Sequence, residues 1–192
     1  MNSVLQRRSA VAHPFTVPIS APEAADATRF GPKAANLARL GHAGLPIPLG
    51  FCVDAEAYRR QLSALGLASH ALQVGSPEPG EARRAALALK LGLLEGPIVA
   101  EILGPLLDAR RGLADITGAP TVVRSSALVE DRFGSSFAGQ FESYLGVESE
   151  DDFLTAVRSC WAALWACCWH PFANIRSWLS GRSSSCSWVK PT

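Results

Sequence analysis

Three short segments of this chain contain residues suited to holding phosphate groups. The first contains Gly31, Pro32 and Lys33 at the start of a predicted helix over residues 33–40. A glycine ahead of a helix lets backbone amides approach an anion, and a lysine at the helix start neutralises phosphate charge. The alternative is an ordinary proline-initiated helix with a solvated lysine, because Gly-x-Lys alone carries little of a phosphate-loop signature.

The second segment places an arginine at the end of a predicted buried strand over residues 121–123. Arg124 follows Thr121, Val122 and Val123, and two hydroxyls come directly after it in Ser125 and Ser126. A guanidinium group makes planar, bidentate contact with phosphate oxygens, which suits this position at a sheet edge. The alternative is a structural ion pair between Arg124 and one of the carboxylates Glu130 and Asp131.

The third segment is a loop of small residues over 134–140. It contains two glycines and two serines, whose amides and hydroxyls can surround phosphate oxygens. The alternative is a tight hairpin connection, since glycine-rich loops join strands far more often than they hold nucleotides.

Composition restricts the classes of protein to which the chain can belong. The 192 residues have room for one domain, and with 48% apolar residues they can bury a core. The net charge of +1, with Lys and Arg scattered along the chain, argues against nucleic acid as the main partner. No apolar run approaches the roughly 20 residues that cross a bilayer, and the N-terminus is a poor signal peptide. We therefore expect a cytoplasmic protein without a membrane partner.

The elements that must position the three segments alternate between short strands and helices, which predicts an α+β fold. Asp54 is the predicted N-cap of the second helix, and Gly104 with Pro105 should kink or split the fourth. Strands are predicted over residues 15–19, 51–53, 121–123 and 141–147. Helices are predicted over 33–40, 55–65, 81–94 and 97–107, with a last one capped by Asp151 or Asp152.

The last part of the chain differs in composition from the rest. All five tryptophans and four of the five cysteines lie between Cys160 and Thr192, and residues 180–187 are nearly all Ser, Arg, Gly and Cys. For the tail over residues 166–192 we predict neither strand nor helix, and expect it to be disordered or read in a shifted frame. The cysteines form no CxxC pair and no zinc-ligand spacing, so no metal site is predicted. The tryptophans and cysteines at helical spacing from Cys160 to Trp169 indicate core or a partner surface.

Taken in order, the segments resemble the nucleotide-binding domain of the phosphoenolpyruvate synthase and pyruvate phosphate dikinase family. Members of that family read Gly-Gly-Lys-Gly-Ala-Asn-Leu, followed by Ala-Gly-Leu-Pro-Val-Pro-Pro-Gly-Phe. The matching stretches here are Gly31-Pro32-Lys33-Ala34-Ala35-Asn36-Leu37, Ala43-Gly44-Leu45-Pro46-Ile47-Pro48-Leu49-Gly50-Phe51, Val123-Arg124-Ser125-Ser126-Ala127, Glu130-Asp131, Ser136-Phe137-Ala138-Gly139-Gln140 and Cys160-Trp161-Ala162-Ala163-Leu164-Trp165. The resemblance extends from about Phe15 to Trp165.

The resemblance implies the N-terminal lobe of an ATP-grasp fold, with ATP as its ligand. Lys33 and Arg124 would bind the ATP phosphates. The third segment would lie over the phosphate chain through Ser135, Ser136, Phe137, Ala138, Gly139 and Gln140. In the family, phosphoryl groups pass from ATP to a carrier histidine and then to pyruvate, while a related branch phosphorylates rifamycin antibiotics. Such transfer depends on positioning and charge neutralisation, usually with Mg²⁺ bridging the phosphates.

Two departures from the family pattern bear on these expectations. Pro32 replaces the second glycine, which removes an amide donor next to Lys33. The resemblance also stops near Trp165, so we expect an N-terminal extension over 1–14, an incomplete lobe over 15–165 and a divergent tail over 166–192. The Mg²⁺-holding Glu and Gln, the carrier histidine and the acceptor domain would then be missing, and no catalytic or metal-binding residue is assigned. Whether the chain alone is an enzyme stays open. A rifamycin-phosphotransferase-like fragment and a non-catalytic remnant or split subunit are the alternatives.

Overall fold

The computed structural model describes residues 15–127 and 143–165, and the backbone of 185–191. Within these ranges the chain forms an α+β domain, as the sequence predicts. The strands are β1 (Thr16–Pro18), β2 (Phe51–Val53), β3 (Thr121–Ala127), β4 (Ser143–Val147) and β5 (Ser185–Pro191). The helices are α1 (Ala27–His42), α2 (Ala55–Ala64), α3 (Ala68–Gln73), α4 (Pro79–Glu95), α5 (Ala100–Thr117) and α6 (Glu150–Ala163), with a short 3-10 helix at Pro22–Ala25.

The five strands form one sheet in the order β1-β2-β5-β3-β4, and every pair is antiparallel. β5 lies at the centre and pairs with β3 along its whole length, from Thr121 opposite Pro191 to Ala127 opposite Ser185. The prediction that the tail holds no strand is therefore wrong for these seven residues. Ser185-Cys186-Ser187-Trp188 does alternate between small and larger residues, but the composition of the surrounding segment obscured this short signal.

Helices cover both faces of the sheet. Successive side chains of β2 point to opposite faces, and all three are buried, so both faces must be covered. Phe51 and Val53 belong to the main core, into which residues of α2 to α6 also pack. Cys52 points to the opposite face, where it packs with Phe30, Ala34 and Ala38 of α1. Thus α1 lies on one face of the sheet and the main core on the other.

Three helices differ from their predicted form. α1 begins at Ala27, because the Asp26 side chain accepts a hydrogen bond of 2.8 Å from the Thr28 amide and caps the helix. α5 is not split by Gly104 and Pro105 but continues to Thr117. The carbonyl that loses its helical bond to Pro105 belongs to the exposed residue Glu101, where water can solvate it.

The start of α6 is set by Ser149 rather than by Asp151 or Asp152. The Ser149 hydroxyl accepts from the Asp152 amide at 3.0 Å and donates to the Asp152 carboxylate at 2.7 Å. The bond from the Asp152 amide is that of a serine N-cap, while the Asp152 carboxylate accepts from the Ser149 hydroxyl rather than from its backbone amide as in a full capping box. The aspartates therefore occupy the first turn instead of preceding it. The short helix α3 was not predicted from the sequence at all.

The aromatic end of α6 is part of the core. Cys160, Trp161 and Trp165 are buried, and the Trp165 indole nitrogen donates a hydrogen bond to the Tyr58 hydroxyl on α2. Cys168 and Trp169 lie outside the described residues. Among the helices that the structure describes, none is long and apolar enough to span a membrane.

Candidate functional site

The first candidate segment contains a break in α1. Gly31 has φ 74° and ψ 165°, which no helix accommodates, so a second helical segment starts at Pro32. Proline suits this position because its fixed φ matches the helix and its missing amide is not needed there. The break places Lys33, which is half-buried, in the first turn of the new segment.

Gly31 lies directly against Ser126, the second-to-last residue of β3. A Cβ atom built on Gly31 would lie 2.0 Å from the Ser126 carbonyl oxygen and 2.5 Å from its hydroxyl oxygen. Both the positive φ and this close approach therefore require glycine. We expected the glycine to bring amides close to an anion; in the structure its close approach is to the backbone of β3.

A hydrogen bond connects the same two elements one turn further along α1. The Ala34 amide donates to the Ser126 hydroxyl at 3.3 Å, between residues 92 positions apart in the sequence. Ser126 is fully buried and Ala34 is buried as well. The first turn that carries Lys33 is thereby attached to the end of β3.

Arg124 lies on the same face of the sheet as Ser126, since residues two apart on a strand point the same way. Val123, which directly precedes Arg124, points into the main core on the other face. Arg124 is half-buried, and its Nε atom donates to the Ser143 hydroxyl on β4 at 3.1 Å. The structure thus brings the first and second candidate segments together on the α1 side of the sheet.

An ion pair fixes the part of α1 that precedes Gly31. The Arg29 Nε atom donates to the Asp54 carboxylate at 2.7 Å, and the other Asp54 oxygen accepts from the Glu56 amide at 2.9 Å. Asp54 caps α2, as predicted, but its role in anchoring α1 was missed. The sequence offers no signal for that pairing, because Arg29 and Asp54 are 25 positions apart and meet only in the folded chain.

The third candidate segment lies outside the described residues. Ser135, Ser136, Phe137, Ala138, Gly139 and Gln140 therefore stay predictions, as does the ion pair of Arg124 with Glu130 or Asp131. Across the described ranges no group of three or more His, Cys, Asp or Glu residues could hold a metal ion. Burial raises the pKa of the Cys52 thiol to about 12, so this residue is a neutral core side chain rather than a nucleophile.

Comparison with protein families gives a match over most of the chain. Residues 27–167 match the family model described as pyruvate phosphate dikinase, AMP/ATP-binding domain. The match contains α1, β3 and β4, and hence both Lys33 and Arg124.

Several curated proteins are similar to the same part of the chain. The prodigiosin synthesizing transferase PigC of Serratia marcescens is 39% identical over 79% of this chain and 16% of its own length. A phosphoenolpyruvate synthase of Aeropyrum pernix is 39% identical over 70% of this chain and 17% of its own length. The uncharacterized phosphotransferase YvkC of Bacillus subtilis is 30% identical over 71% and 14%, respectively. The chain thus spans less than a quarter of the length of these relatives.

Proposed function

Because this chain belongs to the family of pyruvate phosphate dikinase AMP/ATP-binding domains, we propose that it provides the phosphate-binding half of the ATP site in a phosphoenolpyruvate synthase-like phosphotransferase. The observation that carries the proposal is the contact between Gly31 and Ser126. It holds the helix start bearing Lys33 next to the strand bearing Arg124. Two cationic side chains on one side of the sheet edge suit a polyphosphate.

Lys33 and Arg124 would share the work of binding the phosphate chain. The ammonium of Lys33 is a point charge that neutralises phosphate oxygens without fixing their direction. The guanidinium of Arg124, whose orientation is set by its bond to Ser143, offers a planar fork that fixes two oxygens at once. Loop residues Ser135 to Gln140 would cover the phosphates from the third segment. In this proposal the chain would contribute positioning and charge neutralisation, which are the main requirements of phosphoryl transfer.

Mg²⁺ would accompany ATP, since it neutralises charge on the transferred phosphoryl group. Among the described residues no group of three or more His, Cys, Asp or Glu side chains could hold a resident metal ion, whereas Mg²⁺ that arrives with ATP needs only one or two protein carboxylates beside the phosphates. No residue in the described part of the chain is assigned as a Mg²⁺ ligand.

Pyruvate is the acceptor that we propose for the whole protein, with a carrier histidine that is phosphorylated first. We propose the cytoplasm as its compartment. Relatives named phosphoenolpyruvate synthase support pyruvate, among them one of Pyrococcus furiosus that is 31% identical over 73% of this chain. A second acceptor class has support as well. The prodigiosin synthesizing transferase PigC is as similar as the Aeropyrum pernix protein, at 39% identity. Both candidates would use the same proposed ATP site and would differ in the acceptor.

Calorimetric titration of the chain with ATP, with and without Mg²⁺, tests the ATP site. Lys33→Ala and Arg124→Ala should each weaken ATP binding about tenfold to a hundredfold, as expected for loss of a charged hydrogen bond. Lys90→Ala and Arg84→Ala remove exposed charges of the same kind on α4 and should leave the affinity unchanged. No binding by the wild-type chain would contradict the function, and unchanged binding by both site variants would contradict the site.

A further inference from the structure

We propose that Ser126 is a positioning residue that holds Lys33 in register with Arg124. The inference rests on the proposed ATP site but concerns a residue that would not touch the nucleotide. Its basis is the hydrogen bond from the Ala34 amide to the buried Ser126 hydroxyl, together with the contact of Gly31 against the Ser126 backbone.

The bond replaces a cap that the helix cannot supply for itself. A helical segment leaves its first four amides without partners inside the helix. The residue before Pro32 is Gly31, which has no side chain to accept a hydrogen bond from them. The acceptor comes instead from β3, 92 positions away from Ala34. The cap of this segment is therefore also its attachment to the strand that carries Arg124.

This attachment determines where Lys33 stands relative to Arg124. Lys33 immediately precedes Ala34, so a displacement of the first turn moves the Lys33 backbone with it. Arg124 and Ser126 are two residues apart on β3 and share a face, so the bond ties the helix start to the same short stretch of strand. A phosphate chain contacted by both cations requires both at once, and a shift of about 1 Å is enough to weaken such an arrangement.

The adjacent serine provides a matched control. Ser125 is as deeply buried as Ser126, at 2% exposure against 0%. Its hydroxyl has no hydrogen-bond partner in the described part of the chain, and it points to the opposite face of β3. Ser125→Ala therefore removes the same atom from the same strand without touching the link to α1.

A double-mutant cycle on the intact chain tests the inference. Its variants are Ser126→Ala, Lys33→Ala and the combination of both, with the dissociation constant for ATP measured by calorimetry. Ser126→Ala should weaken ATP binding about threefold to tenfold, the loss expected for one hydrogen bond. In the Lys33→Ala background the same change should have almost no further effect, because there is no ammonium left to position. Ser125→Ala should bind ATP as the wild type does.

The outcomes separate this inference from the proposed function. If the wild type binds ATP and Lys33→Ala weakens binding, while Ser126→Ala leaves the affinity unchanged, the ATP site stands and the positioning role is wrong. The inference is also overturned if Ser126→Ala lowers the ATP affinity by the same factor in the wild type and in Lys33→Ala. A general loss of structure would act equally in both backgrounds. If the wild type does not bind ATP, the proposed function itself fails.

A measurement without any substitution covers the case in which Ser126→Ala does not fold. Amide hydrogen exchange followed by NMR reports on the Ala34 amide in the nucleotide-free wild type. We expect protection comparable with that of amides in the middle of α1, because the amide is bonded and buried. Exchange as fast as that of an unprotected helix end would overturn the inference.

Discussion

Gly31 on α1 lies against the carbonyl oxygen of Ser126 on β3, at a separation that leaves no room for a side chain. The two residues belong to separate sequence segments that each contain a cation suited to phosphate. Their contact brings those two segments together, and the proposed phosphate site depends on it. Substitutions at this contact should therefore affect both stability and nucleotide binding.

Gly31→Ala should lower the free energy of unfolding by at least about 1–3 kcal/mol, the usual cost of a backbone conformation that only glycine adopts readily. Overlap of the new Cβ with Ser126 adds to that cost, because the atom it meets is backbone. Urea unfolding monitored by tryptophan fluorescence measures the change. Gly112→Ala is the control: it lies in α5 with nothing within 4 Å of an added Cβ, and should raise stability by about 0.5–1 kcal/mol. Equal stability of the Gly31 variant and the wild type would contradict this prediction.

Asp54→Ala should destabilise the chain by about 1–3 kcal/mol, because it removes the cap of α2 and the partner of Arg29 together. Arg29→Ala removes the ion pair alone and should cost less, since the Arg29 side chain is 41% exposed. Thermal and urea unfolding of both variants give the comparison. A larger loss for Arg29→Ala than for Asp54→Ala would show that the cap is not the dominant contribution.

Lowering the pH should reduce the folding stability of the chain, partly through protonation of Asp26. Hydrogen bonds from the Thr28 hydroxyl and amide outweigh the slight desolvation of this exposed carboxylate and lower the pKa of Asp26 from 3.8. Since the folded-state pKa is lower, the stabilisation is fully present above pH 3.8 and is lost as the pH falls through the folded-state value. Asp26→Ala should therefore be less stable than the wild type at pH 7, and the difference should shrink below pH 3.8.

Asp26→Asn separates the charge from the cap in the same experiment. Asparagine caps helices about as well as aspartate but does not titrate in this range. Its stability should stay close to that of the wild type at pH 7 and should not show the additional loss at acid pH. Urea unfolding midpoints at several pH values provide the test, and a constant difference between Asp26→Ala and wild type at every pH would contradict it.

Deleting residues 185–192 should prevent the sheet from forming as described. β5 pairs with both β2 and β3, so its loss leaves two strands with unpaired amides and carbonyls at the centre of the domain. We expect loss of sheet signal in circular dichroism and aggregation in size-exclusion chromatography. A monomeric deletion variant with the unfolding midpoint of the full chain would show that β5 is dispensable.

The parts of the fold predicted from sequence are those set by local signals. The strand at Phe51–Val53, the cap at Asp54 and the buried run from Thr121 follow from side-chain pattern and turn residues, and the structure has all three. The continuation of α5 past Pro105 could not be predicted, because the exposure of Glu101, whose carbonyl loses its helical bond, depends on how the helix packs. The central position of β5 depends on pairing with strands far away in the sequence, which no local pattern specifies.

The candidate site shows the same division. Lys33 and Arg124 were identified by residue type and by their order in a family-like pattern, and both lie on the α1 side of the sheet. The contacts that bring them together, from Gly31 to Ser126 and from Ala34 to Ser126, join distant segments. A glycine required for close backbone packing looks, in sequence, the same as a glycine required for a phosphate.

The most direct measurement of the central claim compares ATP with adenosine as ligands of the intact chain. If Lys33 and Arg124 bind the phosphate chain, the wild type should bind ATP about a hundredfold or more tighter than adenosine. This is the factor expected when the binding free energies of two charged contacts are added. The double variant Lys33→Ala/Arg124→Ala should bind the two ligands about equally, with adenosine affinity unchanged. A double variant that keeps the wild-type preference for ATP would show that the phosphates are bound elsewhere.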